Sequence, residues 1–88
     1  MRFNWDQANT KHLARHGITR EEAEEALAND PLVVQLQEHT AEQRVLCLGR
    51  TDRGRLLAVV YTEREGAIRV VTAYPMTRRQ EAIYPKER

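Results

Sequence analysis

The chain has 88 residues, 41% of them hydrophobic and 31% charged, and a formal net charge of +1. That length supports one small domain around one core. The mean hydropathy is −0.69, and no apolar run approaches the ~18–20 residues of a membrane span, which excludes a membrane helix.

The opening MRFNWDQANTKH has no apolar stretch of the signal-peptide kind. The single cysteine, Cys47, excludes an internal disulfide and fits a reducing compartment. The expectation is one domain over residues 1–88 in the cytoplasm, without membrane contact.

The near-zero net charge hides an asymmetry. Residues 1–43 hold four Lys/Arg against eight Asp/Glu, and residues 44–88 hold ten Lys/Arg against five Asp/Glu. Nine of those ten are arginine. A guanidinium forks onto phosphate as an ammonium cannot. A solvated surface would account for such a pattern, and so would a sheet that faces a polyanion.

In chain order, Arg2-Phe3-Asn4-Trp5 reads as a short strand, and Asp6 can cap a helix that begins after it. Residues 7–16 carry helix formers and stop at His16-Gly17. Thr19-Arg20-Glu21-Glu22 is a capping box that opens a second helix. Its glutamates suit the positive end of the helix dipole, and Ala23, Ala26 and Leu27 form its apolar stripe. Asn29-Asp30-Pro31 ends it. Leu32–Gln37, Arg44–Arg50, Leu56–Thr62 and Ile68–Tyr74 are strands rich in Val, Leu, Ile and Tyr.

Thr51-Asp52-Arg53-Gly54 and Arg64-Glu65-Gly66 suit tight hairpins, so the last three strands form an antiparallel meander. Leu56–Tyr61 is apolar on both sides, as a central strand should be. Pro75 ends the sheet. Thr77-Arg78-Arg79-Gln80 is a second capping box, and Pro85 ends the helix it opens. The order β-α-α-β-β-β-β-α, with helices ahead of an antiparallel sheet, is an α+β fold.

Several residues could carry chemistry. His12 and His16 are four apart on one helix face. That is a zinc-pair spacing, but the glutamate of H-E-x-x-H is missing, and His39 and Cys47 are only loose further ligands. His16 next to Gly17 could cap a helix C-terminus or act as an acid or base near neutral pH. Arg44 and Arg50 share a face with Leu46 and Leu48. Arg69, between Ile68 and Val70, is read as facing with Val71 and Ala73.

For these strand arginines, an edge position with a salt bridge and a phosphate contact both stand as readings. Tyr74, Thr77, Arg78 and Arg79 gather at a strand end and helix start, where an anion could bind or a helix could simply be capped. Tyr84 is expected to pack its ring on the sheet, and Trp5 to be core or partner-facing. No phosphate-binding loop, dinucleotide fingerprint, nucleophile elbow or C-x-x-C is present.

A set of residues in order carries a resemblance. It comprises Phe3-x-Trp5-Asp6, then Arg15-His16-Gly17-Ile18 with Glu21-Glu22-Ala23, then Asp30-Pro31. It continues with the Arg44 strand to Leu48-Gly49-Arg50, Gly54-Arg55 and Ile68-Arg69-Val70-Val71-Thr72-Ala73, and closes on Met76-Thr77-Arg78-Arg79 with Tyr84. Over nearly its whole length the chain resembles the BrnT family of bacterial type II toxins.

The resemblance implies a RelE-like fold with helices on one face of a mainly antiparallel sheet. It implies a metal-independent endoribonuclease without a cofactor, which arrests growth by cutting RNA. It implies a partner antitoxin of the BrnA type, through which alone DNA would be reached. The chain departs from the family pattern in having His12 where Asn is common and Arg15 where Lys is common. It also has Ala73-Tyr74-Pro75 where Ala-Arg is common.

Metal-free RNA cleavage needs a base for the 2′-hydroxyl, cations for the phosphorane and an acid for the leaving 5′-oxygen. Arg44, Arg69 and Arg78 are assigned to phosphate, and His16 or Tyr74 to base or acid. Arg50, Arg53, Arg55, Thr77 and Arg79 are assigned to RNA binding. Tyr74 in place of the usual arginine leaves a second reading open, a catalytically degenerate module that still binds RNA or antitoxin. A structural partner in a larger assembly is a third. No ribbon-helix-helix or helix-turn-helix pattern is present, so direct DNA binding is not expected.

Overall fold

The structure, a computed structural model, describes residues 1–39 and 42–85, with backbone only at residue 39. The helices form where the caps predict them. Asp6 caps α1 (Gln7–Ala14) by accepting from the Asn9 amide. Gly17, at φ 68°, supplies the left-handed turn after it. Both capping boxes are made: Thr19 with Glu22 on α2 (Arg20–Ala28), and Thr77 with Gln80 on α3 (Arg78–Ile83). α1 is shorter than the expected residues 7–16, because the His16 and Gly17 amides already bond Leu13 and Ala14 carbonyls as a tightened turn.

Four strands come next in a single antiparallel sheet: β1 (Leu32–His39), β2 (Glu42–Arg50), β3 (Leu56–Arg64) and β4 (Ala67–Pro75). The spatial order equals the chain order, so the sheet is a pure meander. The expected first strand is reduced to a parallel bridge, Phe3 with Ile68 on the outer side of β4. It is anchored by the Ile68 amide on the Arg2 carbonyl and the Asn4 amide on the Ile68 carbonyl.

Alternation along the strands divides the core between two faces. On one face Cys47, Leu57, Val59, Val70 and Ala73 pack under Leu13, Ile18, Ala23, Ala26 and Leu27 of the α1–α2 layer. Phe3 and Trp5 close that layer's side, and the Trp5 indole donates to Glu24 at 2.8 Å. On the other face Leu48 and Ala58 pack under Met76 and Tyr84, which flank α3. The helices therefore lie on both faces of the sheet, not on one as the resemblance implied. Pro75 turns the chain across the sheet end, and Met76 anchors the return on the second face.

α2 lies so close to β2 that a side chain at Gly49 has no room. A Cβ there would stand 2.2 Å from the Ala26 carbonyl oxygen. The C-terminal end of α2 is tied to the β2–β3 turn: Asn29 donates to the Arg50 carbonyl and to Asp52, and Glu25 accepts from the Asp52 amide. None of the described helices is long and apolar enough to cross a membrane.

Candidate functional site

Strand register places four polar side chains, Gln37, Arg44, Thr62 and Arg69, in one row. Arg44 pairs with Gln37, the next residue along, Val45, pairs with Tyr61, and Thr62 pairs with Arg69. Arg44, Thr62 and Arg69 thus stand side by side on β2, β3 and β4. Their neighbours Val45, Tyr61, Ile68 and Val70 all pack toward α1 and α2, so the row faces the other way. Two strand spacings separate the arginine Cα atoms, roughly 10 Å.

Arg69 does not share a face with Ala73, as simple alternation predicts. A bulge between Val60 and Tyr61 leaves Val71 without a register partner and reverses the alternation beyond it. Arg69 is fixed by an ion pair, Nη2 to Asp6 Oδ2 at 2.7 Å, while the other Asp6 oxygen caps α1. Thr62, 2% exposed, has its hydroxyl buried without a hydrogen-bond partner among the described residues. Such an unmet group is disfavoured by about 1–3 kcal/mol, and it lies in the middle of the arginine row.

A second cluster forms at the far end of β4. The His16 and Tyr74 ring centroids are 6.4 Å apart, and those of His12 and His16 are 6.1 Å apart. Tyr74 is half-buried, and its hydroxyl accepts from Gln80 Nε2 at 3.0 Å. Thr77, Arg78 and Arg79 begin α3 beside it, all exposed. Among the described residues no group of three potential ligands joins the two histidines, and the His39 side chain lies outside them.

This arrangement supplies an imidazole, a phenol and two exposed guanidinium groups at one solvent-facing corner. Five residues back along β4, Arg69 belongs to the row that crosses the sheet to Arg44. A comparison with protein families decides what it belongs to: the family described as "Ribonuclease toxin, BrnT, of type II toxin-antitoxin system" matches residues 5–80. The chain is a member of the BrnT toxin family. No curated protein matches it.

The ten residues singled out for this toxin fall into four places. Arg44 and Arg69 share the row. His16, Tyr74, Thr77, Arg78 and Arg79 share the corner. The two groups are separated by five residues of β4, roughly 15 Å. Arg50 and Arg53 line a hollow at the β2–β3 turn with Asn29, Thr51, Asp52 and Gly54. Arg50 also borders the far end of α3, with Glu81 and Tyr84.

Arg55 faces inward. Its Nη1 donates to the Gly17 carbonyl at 2.9 Å and pairs with Glu22 at 3.1 Å. Arg55 thereby holds the turn that carries His16. The hydrogen bond from the Thr19 amide, reinforced by Arg55, keeps the Glu22 carboxyl below its usual range. Thr62, Asp6 and Gln80 were not found from sequence as site residues. Asp6 and Gln80 carry only cap signals there, and Thr62 carries none.

The buried thiol lies elsewhere. Cys47 packs between the sheet and α2, where burial pushes it up from its ordinary value. Burial raises the neighbouring Tyr61 phenol as well.

Proposed function

We propose that this BrnT toxin cleaves RNA without a metal ion, at the corner formed by His16, Tyr74 and the start of α3. The observation that carries the reading is the meeting of His16 and Tyr74, residues 58 positions apart in the chain, beside the exposed Arg78 and Arg79. A base, an acid and cations are the three requirements of 2′-hydroxyl attack on phosphorus, and side chains provide all three.

Arg78 neutralises the scissile phosphate, with Arg79 beside it. Arg44 and Arg69, in the row roughly 15 Å away, hold a phosphate further along the RNA, Thr77 adds a contact at the start of α3, and Arg50 and Arg53 add contacts from the β2–β3 turn. Arg55 contributes by fixing the His16 turn. The fold is of the RelE-like kind, and the chain works in the cytoplasm. The partner is a BrnA-like antitoxin, and DNA is reached only through that partner.

The test is controlled induction of this chain in a bacterial host with total RNA examined in parallel, followed by cleavage of purified RNA in EDTA. Growth arrest with new RNA fragments, reversed by the neighbouring gene's product and retained in EDTA, is the expected result. Normal growth and intact RNA at confirmed expression would overturn the reading. They would favour the degenerate binding module, to which Tyr74 in place of the family's arginine points. Cleavage abolished by EDTA would overturn metal independence alone.

A further inference from the structure

Gln80 stands at the corner with both ends of its amide engaged. Its Oε1 accepts from the Thr77 amide at 3.0 Å, and its Nε2 donates to the Tyr74 hydroxyl at 3.0 Å. A backbone N–H can only donate, so the amide oxygen must face Thr77 and the nitrogen must face Tyr74. The Thr77 hydroxyl in turn accepts from the Gln80 amide at 3.1 Å, which fixes the backbone of the same residue. The capping box of α3 therefore dictates the polarity of a hydrogen bond six residues back in the chain.

The consequence falls on Tyr74. Its oxygen accepts a hydrogen bond from Gln80, so its own proton is not used in that contact, and among the described residues it donates to no protein acceptor. A hydroxyl that accepts one hydrogen bond becomes the stronger donor in its next.

We infer that Gln80 is a positioning residue that presents Tyr74 as the proton donor of the reaction, which leaves His16 as the base. This rests on the reading of His16 and Tyr74 as the reacting pair. His16 takes the proton of the 2′-hydroxyl, and the 2′-oxygen forms a bond to phosphorus. The bond from phosphorus to the 5′-oxygen breaks, and that oxygen takes the proton of Tyr74. The products are a 2′,3′-cyclic phosphate and a 5′-hydroxyl, and the phenolate regains a proton from the imidazolium through water.

Gln80→Glu tests this directly. Glutamate preserves the capping box, since its carboxylate still accepts from the Thr77 amide. It replaces the donor to Tyr74 with an acceptor, so the phenol proton is turned away from substrate. Tyr74→Phe removes the hydroxyl altogether. Both variants, and the double variant, are assayed on an oligoribonucleotide carrying a site mapped with the parent chain. The same oligonucleotide is then made with sulfur as the 5′-bridging atom, a leaving group that needs no proton.

Each single variant is expected to lose about 10²-fold in kcat on the oxygen substrate. The double variant should lose no more than either alone, and all should approach the parent on the sulfur substrate. Melting curves confirm folding, and Gln80→Met, which neither donates nor accepts there, stands in if Gln80→Glu melts early. Its expected loss is smaller and is likewise recovered by sulfur.

Parental kcat in Gln80→Glu with a slow Tyr74→Phe would overturn the role of Gln80 and leave Tyr74 in place. Parental kcat in Tyr74→Phe would overturn the reacting pair itself. A defect that persists on the sulfur substrate would overturn the proton-donor assignment. A parent chain inert on RNA, with and without ribosomes, would overturn the ribonuclease reading beneath it.

Discussion

Replacing Gly49 with alanine should loosen the whole α1–α2 layer. The new Cβ would lie 2.2 Å from the Ala26 carbonyl oxygen, 2.9 Å from its carbon and 3.3 Å from the Ala26 Cα. Ordinary contact begins near 3.4 Å, so helix and strand must part by about 1 Å. A gap of that size forfeits roughly a quarter to a half of the dispersion energy where the surfaces separate. The surfaces here are Ala23, Ala26 and Leu27 against the sheet, all 4% exposed or less.

Overpacking of this kind destabilises by about 1–3 kcal/mol, and a main-chain obstruction belongs at the upper end. Restricting the unfolded chain returns at most about 1 kcal/mol. The net expectation is a loss of about 2 kcal/mol, which for a domain of this size lowers Tm by roughly 8–16 °C. Far-UV circular dichroism melting of parent and variant measures it. The obstructing atom belongs to the backbone, so adding Ala26→Gly should not restore Tm. A Tm within about 2 °C of the parent, or a rescue by Ala26→Gly, would refute the close-approach argument.

Three further outcomes are expected. Arg69→Ala should weaken RNA binding about tenfold and flatten the log–log salt dependence by roughly 0.7. Its Tm should barely move, since a half-exposed pair with Asp6 contributes only ~0–1 kcal/mol; parental affinity at low salt would contradict the phosphate contact. Glu22 is held below its ordinary value of 4.5 by the Thr19 amide and Arg55. Its stabilisation is complete above the unfolded pKa and is lost as pH falls through the lower folded value. Glu22→Gln should therefore melt below the parent at neutral pH, and the difference should close on acidification, read from Tm against pH. Cys47, 1% exposed and with its thiol pushed up by burial, should react with a thiol reagent only as fast as the domain unfolds; rapid labelling in native buffer would contradict its packing.

Much of the architecture was legible from local chemistry. Capping residues act within one helical turn, so Asp6, Thr19 and Thr77 announced their helices directly. Hydrophobic strands broken by glycine-containing turns announced the meander. The face of Arg69 was not legible, because one extra residue on β4, at Val71, reverses the alternation on which such a reading depends. The placement of α3 was equally hidden. It results from Met76 and Tyr84 seeking apolar cover that Leu48 and Ala58 provide on the second face.

The candidate site divides along the same line. The sequence by itself determined which residues can do chemistry: His16 beside a glycine turn, Tyr74 at a strand end, and an arginine-rich second half. Those properties belong to single side chains and their immediate neighbours. Only the tertiary structure decided which of them meet. It brought His16 to Tyr74, tied Arg55 to Gly17 and Arg69 to Asp6, and set Gln80 between a helix cap and a phenol. Each of those contacts depends on the distance between atoms far apart in the chain, and that distance is set by how α1, β4 and α3 pack.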